Sequence, residues 1–247
     1  MRLPALTPTP PQRRRLAAAA ASLLAAAGAA AQPAATPFSV PDTLAQRVQA
    51  CTTCHGKEGR ATNQGYFPRI AGKPAGYLYN QLVNFREGRR HYAAMTYLVE
   101  HLSDGYLREI ADHFASLDLP YPPPQPAAAT ADLLARGEAL ALRGDDARKV
   151  PACVACHGAA LTGVEPTVPG LLGLPRDYVS SQFGAWSTGQ RKAAVPDCMA
   201  QITARLGPQD IGAVAAWLAA QPLPADTKPA GSIALPLPMA CGSGPKP

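Results

Sequence analysis

Apolar side chains recur at helical spacing along most of the chain, in segments that loops separate. In the segment from Ser39 to Ala50, Leu44 and Val48 lie four residues apart, which places them on one face of a helix. Ser103 is an N-cap candidate for a helix that carries the apolar residues of 107–114. No segment shows the alternation of apolar and polar residues that is typical of a strand. The pattern therefore predicts an all-α fold, with further helices over 74–87, 130–142, 175–186 and 208–220.

The chain contains an internal repeat. A shift of 102 residues superimposes CTTCH, from Cys51, on CVACH, from Cys153. With a one-residue gap, FPRIAGKPAGYLYNQLVNFREGRR from Phe67 aligns with VPGLLGLPRDYVSSQFGAWSTGQR from Val168. A repeat of this length predicts two similar domains, joined here by the stiff linker LPYPPPQP. The predicted segments are 32–119 for the first domain, 120–127 for the linker, 128–221 for the second domain and 222–247 for a proline-rich tail.

The repeated Cys-x-x-Cys-His motif is the attachment signature of a c-type haem. Two thiols at this spacing lie on one short turn, where both can form thioethers with the vinyl groups of one porphyrin, and the histidine behind them can bind the iron. The sequence therefore predicts two covalently attached haems, and hence two irons, held by Cys51, Cys54, His55, Cys153, Cys156 and His157.

Three other uses of these cysteines compete with haem attachment. A zinc site could use all four cysteines, but it would not need a histidine after each pair. A thioredoxin-like redox pair belongs in a βαβ setting, which the helical pattern does not predict. Disulfide bonds are an alternative in an oxidising compartment. The occurrence of the whole motif twice, within matching repeats, favours haem.

Residues 1–31 have the pattern of a signal peptide, and a membrane anchor is the alternative. A run of three arginines at 13–15 precedes a short, alanine-rich apolar stretch and a small-residue cleavage site. This segment contains four arginines and no acidic residue, so its removal lowers the formal net charge from +6 to +2. The remaining chain has no basic stripe of the kind that nucleic-acid binding requires. We therefore expect an exported, periplasmic protein with no nucleic-acid partner.

The sixth ligand of each iron is predicted from the repeat. In the first half the candidates are His91, Met95, His101 and His113. In the second half they are Met199 and its neighbour Cys198, because His157 is the only histidine there. Met95 and Met199 lie 44 and 46 residues beyond the first cysteine of their motifs, in the predicted loop before the last helix of each repeat. This matching placement favours methionine in both halves.

The repeat, the two motifs and the blocks around Met95 and Met199 resemble the cytochrome c4 family, over nearly all of the chain after the signal segment. The resemblance implies two tandem class I cytochrome c domains, each wrapped around one haem. It also implies that the carbonyl groups of Pro68 and Pro169 accept hydrogen bonds from the iron-binding histidines. Leu174 departs from the family, which commonly has glutamine at this position.

Histidine and methionine together would fill both axial positions of each iron, which suits electron transfer and leaves no open position for a substrate. The resemblance implies a periplasmic carrier between a quinol-oxidising complex or dehydrogenase and a terminal oxidase, with any membrane association peripheral and through those partners. We therefore expect no enzymatic turnover. Two alternatives stay open: a fixed cytochrome subunit of a larger dehydrogenase, and a two-haem enzyme such as a thiosulfate dehydrogenase or a peroxidase.

Cys198 and Cys241 are the two cysteines that the haem motifs leave over. A disulfide bond between them is one hypothesis for an exported protein. A buried, unpaired Cys198 with a loose tail is the other.

Overall fold

The computed structural model describes residues 43–62, 65–126, 129–232 and 236–245. The predicted signal segment 1–31 and the first four residues of the helix predicted from Ser39 lie outside them. Ten α-helices, two short 3-10 helices at Lys57–Gly59 and Asp146–Arg148, and one pair of strands form the regular structure of the described residues. The helices are α1 Leu44–Arg47, α2 Gln49–His55, α3 Ala75–Arg86, α4 Ala93–Val99, α5 Asp104–Ala115, α6 Ala131–Leu142, α7 Val154–His157, α8 Arg176–Ser187, α9 Cys198–Thr203 and α10 Pro208–Ala220.

The first half is built around the packing of α3 against α5. Leu78 of α3 meets Ile110 and Phe114 of α5 in one buried cluster. Helix α5 begins where the sequence predicts, because the Ser103 hydroxyl accepts a hydrogen bond from the Tyr106 amide at 3.3 Å. The first predicted helix is interrupted at Val48, so α1 and α2 are two short helices rather than one.

The second half is built around α10, which packs against α6 and α8. Leu140 of α6, Phe183 of α8 and Leu218 of α10 belong to its buried core. Helices α6 and α10 approach closely at Gly137, where a Cβ would overlap the Ala213 carbonyl group and lie 2.7 Å from the Trp217 Cβ. The small side chain is therefore required at this crossing.

Two sequence expectations need correction. Met95 and Met199 do not lie in loops, because each is on a short helix, α4 and α9, directly before the last helix of its half. The second half also contains one antiparallel strand pair, β1 Gly163–Val164 with β2 Val168–Pro169. These strands are two residues long, too short for any alternation of apolar and polar residues to reveal them.

The two halves are in direct contact along α3 and the loop after β1. The Tyr77 amide of α3 donates to the Pro166 carbonyl at 3.2 Å, and a Cβ on the neighbouring Gly76 would lie 2.6 Å from that oxygen. Across the described residues, no helix has both the length and the apolar character that a membrane span requires.

Candidate haem sites

Each Cys-x-x-Cys-His motif ends on a short helix that stops directly after the histidine. Gly56 and Gly158 follow the two histidines with φ of 78° and 84°, a backbone region that favours glycine. At Gly56 the chain also turns so tightly that a Cβ would overlap the Ala61 carbonyl group. The glycine therefore lets the chain reverse behind each motif and leaves both cysteines and the histidine at the wall of the cavity.

The two histidine rings are oriented by equivalent hydrogen bonds. Nδ1 of His55 donates to the Pro68 carbonyl at 2.8 Å, and Nδ1 of His157 donates to the Pro169 carbonyl at 2.7 Å. These bonds confirm the expectation from the family resemblance. Because Nδ1 carries the proton, Nε2 is the nitrogen left with a lone pair for a metal ion.

Burial favours the neutral form of both imidazoles. It lowers the pKa of His55, an effect that the Pro68 hydrogen bond opposes and the nearby Arg90 charge reinforces. It likewise lowers the pKa of His157, where Pro169 opposes it and Lys73 reinforces it. A neutral ring is the form that binds iron.

The motif thiols lie in apolar surroundings that disfavour thiolates. Burial raises the pKa of Cys153 to about 11, and it also raises the pKa of Cys51 and of Cys156. A thioredoxin-like pair needs the opposite shift, because its attacking cysteine must ionise near neutral pH. Among the described residues, no group of three or more His, Cys, Asp or Glu converges as metal ligands.

Both motifs open onto one continuous cavity, and Met95 and Met199 line it too. Of the other candidates in the first half, His91 also lines the cavity, whereas His101 and His113 do not. The His101 side chain is 91% exposed. In the second half, Cys198 is bonded to Cys241, so its sulfur is not available as a thiolate ligand. The structure thus bears out the disulfide hypothesis.

Four polar residues that the repeat aligns in pairs connect the two halves, and we call them the junction network: Gln81, Arg90, Gln182 and Arg191. Arg90 donates to Gln81 Oε1 at 2.9 Å and to Gln182 Oε1 at 2.7 Å. Arg191 donates to the same two oxygens, at 3.2 and 2.6 Å respectively. The backbones run antiparallel at this point and join Arg90 to Arg191 as bridge partners. The network therefore has approximate twofold symmetry and joins the two halves.

The cavity wall has positive charges whose hydrogen bonds go to neutral groups. Arg90 and Arg191 bind amide and tyrosine oxygens, and the buried Arg69 binds the carbonyls of Ala71, Leu119 and Pro120. The Lys73 ammonium donates to the Gly170 carbonyl at 3.2 Å, and burial, helped by Arg69, lowers its pKa to about 8. Cations in this arrangement are electrostatically suited to the carboxylates of haem propionates.

The residues of the cavity therefore fit two haems. Each end of the cavity has paired thiols, an imidazole with a fixed ring and a methionine, and cations line the cavity as well. The repeat aligns Arg90 with Arg191, but the sequence analysis assigned these arginines no role. Lys73 and the cavity-lining tail residues Leu237 and Met239 were not predicted as site residues. The alternation of proline and apolar residues in LPLPM was the one available signal for the tail.

Comparisons with known proteins agree with this geometry. No protein-family model matches the chain. A thiosulfate dehydrogenase electron acceptor from Thiomonas intermedia is 38% identical over 175 residues, covering 70% of this chain and 79% of that protein. Cytochrome c4 from Pseudomonas aeruginosa is 33% identical over 181 residues, covering 72% and 87%. The chain belongs to the cytochrome c4 family. The crystal structure of reduced cytochrome c4 from Pseudomonas stutzeri matches this cytochrome with a TM-score of 0.61 and 28% identity, over 71% of this chain and 95% of that one.

Membership establishes the fold class and the cofactors that the sequence predicts. This cytochrome has two tandem class I cytochrome c domains and two covalently attached c-type haems. When bound, each haem supplies an iron that changes its charge by one electron. The chain's own part is to hold, orient and shield that iron.

Proposed function

We propose that His55 and Met95 bind the first iron and that His157 and Met199 bind the second. Support comes from the equivalent positions of both pairs in the repeat and from the location of all four side chains at one cavity. The disulfide at Cys198 removes the competing thiolate. Thioether sulfur favours reduced iron and raises its reduction potential. Cys51, Cys54, Cys153 and Cys156 would supply the covalent attachments.

We further propose that this cytochrome is a periplasmic electron carrier that accepts electrons from a dehydrogenase and delivers them to a terminal oxidase. The observation that carries this proposal is the continuous cavity, in which two equivalent haem sites adjoin the junction network. A similar protein is described as the electron acceptor of a thiosulfate dehydrogenase, which makes that class of enzyme the first donor to test. The low net charge after removal of residues 1–31 is compatible with brief encounters between partners.

Electron exchange without substrate turnover is part of the same proposal. Histidine and methionine would occupy both axial positions at each iron, so no coordination position stays open for thiosulfate or peroxide. The cavity between the sites is predominantly apolar, and the ionisable groups of the junction network are arginines, which are poor acid–base catalysts.

Anaerobic stopped-flow mixing tests the proposal. The oxidised protein is mixed with thiosulfate alone, with thiosulfate and a purified thiosulfate dehydrogenase, or with a quinol-oxidising complex and its quinol. We expect rapid reduction only when a donor enzyme is present, followed by reoxidation on addition of a terminal oxidase. Sustained thiosulfate oxidation by the protein alone, at the roughly 1–1,000 per second of dedicated enzymes, would contradict the carrier role. Reduction by the quinol-oxidising complex alone would assign the other donor.

A further inference from the structure

The proline-rich tail is attached to the second half at two places. At the first, the Ala230 amide donates to the Gly163 carbonyl at 2.9 Å, and the Glu165 amide donates to the Ala230 carbonyl at 2.8 Å. At the second, the Gly242 amide donates to the Pro196 carbonyl at 2.8 Å, next to the disulfide between Cys198 and Cys241. The described tail residues between these attachments are therefore held beside the segment that leads into Met199.

Side chains of this part of the tail point alternately outward and inward. Pro236, Pro238 and Ala240 are exposed, whereas Leu237 and Met239 are partly buried. The chain then folds back, and a Cβ on Gly244 would lie 3.1 Å from the Leu237 Cδ1. Five tail residues line the cavity that also contains His157 and Met199: Leu237, Met239, Cys241, Ser243 and Gly244.

The first half has no equivalent covering segment among the described residues. Its last helix is followed by the linker, which leads to the second half, where the Gln125 amide donates to the Ala219 carbonyl at 2.9 Å. No described linker residue lines the cavity. Around the helix of Met95, Leu98 lines the cavity although it is 40% exposed, and Tyr66 is 56% exposed. Among the described residues, the methionine side of the first site is therefore less covered than that of the second, which the tail covers.

We propose that residues 236–245 of the tail cover the second haem site. In this arrangement Cys241 positions the Met199 segment, and Leu237 and Met239 exclude water and small ligands. The disulfide restricts the motion of α9, which begins at Cys198, and so keeps Met199 in place. Apolar cover lowers the local dielectric constant, which disfavours the more positive oxidised iron and raises its potential. The two sites would then differ in potential and ligand access although their motifs are alike. The proposal rests on the assignment of Met199 as a ligand.

The tail variant Leu237→Ser with Met239→Ser tests whether these two side chains shield the second haem site. Leu98→Ser is the matched control, because Leu98 is an apolar residue that lines the cavity at the first site. Cyanide association with the oxidised protein and potentiometric titration each resolve two components, and Met199→Ala identifies the one that belongs to the second site. We expect the tail variant to accelerate cyanide binding at that site about tenfold, equivalent to roughly 1.4 kcal/mol, and to lower its potential. The first component is expected to stay unchanged. Equal changes in both components, or no change in either, would overturn the proposal.

Two further variants separate positioning from general packing. Cys198→Ser with Cys241→Ser is expected to weaken the methionine-to-iron absorption of the second site alone. The volume-conserving variant Leu237→Ile with Met239→Leu is expected to bind cyanide as slowly as the unmodified protein does. Loss of the absorption in that pair would identify Met239 as the ligand and overturn the proposed arrangement. If Met199→Ala leaves the absorption intact, the ligand assignment and the positioning role of Cys241 fail. Met95→Ala then identifies the component of the first site, so the cyanide rates of the tail variant still test whether Leu237 and Met239 shield the second site.

Discussion

Each iron would be bound by a histidine whose ring is held in place and by a methionine that lies on a separate short helix. Each histidine ring is locked by a proline carbonyl within 2.8 Å, and its helix ends at a glycine that permits the turn. Each methionine lies on a helix of six or seven residues, away from the motif in sequence. Loss of the methionine would therefore remove one proposed ligand without disturbing the attachment.

Replacement of Met95 or Met199 by alanine is expected to remove that site's methionine-to-iron absorption and to let cyanide bind there. The physical reason is that alanine leaves an open coordination position. Visible spectra of the two single variants and of the double variant measure the effect. His91→Ala is the control, because His91 also lines the cavity and is expected to leave the spectrum unchanged. A spectrum that survives Met95→Ala but not His91→Ala would assign histidine to the first iron.

Asp210 is expected to make the free energy of unfolding depend on pH in the acidic range. Burial opposes its ionisation, but hydrogen bonds from Arg148, from the Gly207 amide and from Arg136 outweigh burial and lower its pKa. A lowered pKa stabilises the fold above the unfolded value of about 4, and this stabilisation is lost as pH falls through the folded value. Asp210→Asn should lower the free energy of unfolding by about 2–3 kcal/mol at neutral pH. It should also make the decrease of this free energy below about pH 4 less steep.

Denaturant unfolding between neutral and strongly acidic pH measures the Asp210 effect. Glu138→Gln is the matched control, because Glu138 is an exposed residue on α6, the helix that supplies Arg136. An Asp210→Asn variant that loses stability in acid as steeply as the unmodified protein would contradict the assignment.

At the scale of helices, the sequence allowed prediction of most elements but not of how they meet. The bounds of α3, α6, α8 and α10 differ by one residue or less from the predicted ranges, because regular apolar spacing and good end signals agree there. The helices of Met95 and Met199 were missed because six or seven residues are too few to show a period. The junction network and the tail cover depend on contacts between distant segments, which local spacing does not encode.

The crossing of α6 and α10 gives a prediction at this scale. Gly137→Ala is expected to lower the free energy of unfolding by about 1–3 kcal/mol, because the new Cβ would overlap the Ala213 carbonyl group and contact Trp217. Gly212→Ala on α10 is the matched control, since no atom lies within 4 Å of its added Cβ. That control should gain about 0.5–1 kcal/mol from helix propensity. Thermal unfolding of the two variants measures both effects, and equal changes would argue against the tight crossing.

At the scale of the whole molecule, the repeat has produced two similar sites with one shared boundary. Arg90 and Arg191 bind the same two glutamine oxygens, one from each half. Arg191 is only 7% exposed, so water screens its charge poorly. We therefore expect the charge at this position to act on both sites and to raise both potentials without any movement of the chain.

Arg191→Met is therefore expected to lower the reduction potentials of both sites together. Removal of a positive charge favours the oxidised, more positive iron. In surroundings with an effective dielectric constant of about 20, a poorly screened unit charge contributes on the order of 1 kcal/mol, or roughly 40 mV for one electron. Potentiometric titration measures the two shifts. Arg143→Met, the same charge change at an exposed position of the second half, should leave both potentials unchanged because solvent and salt screen it. A shift confined to one site, or the same shift in both variants, would mean that the buried charge of Arg191 does not act on both sites.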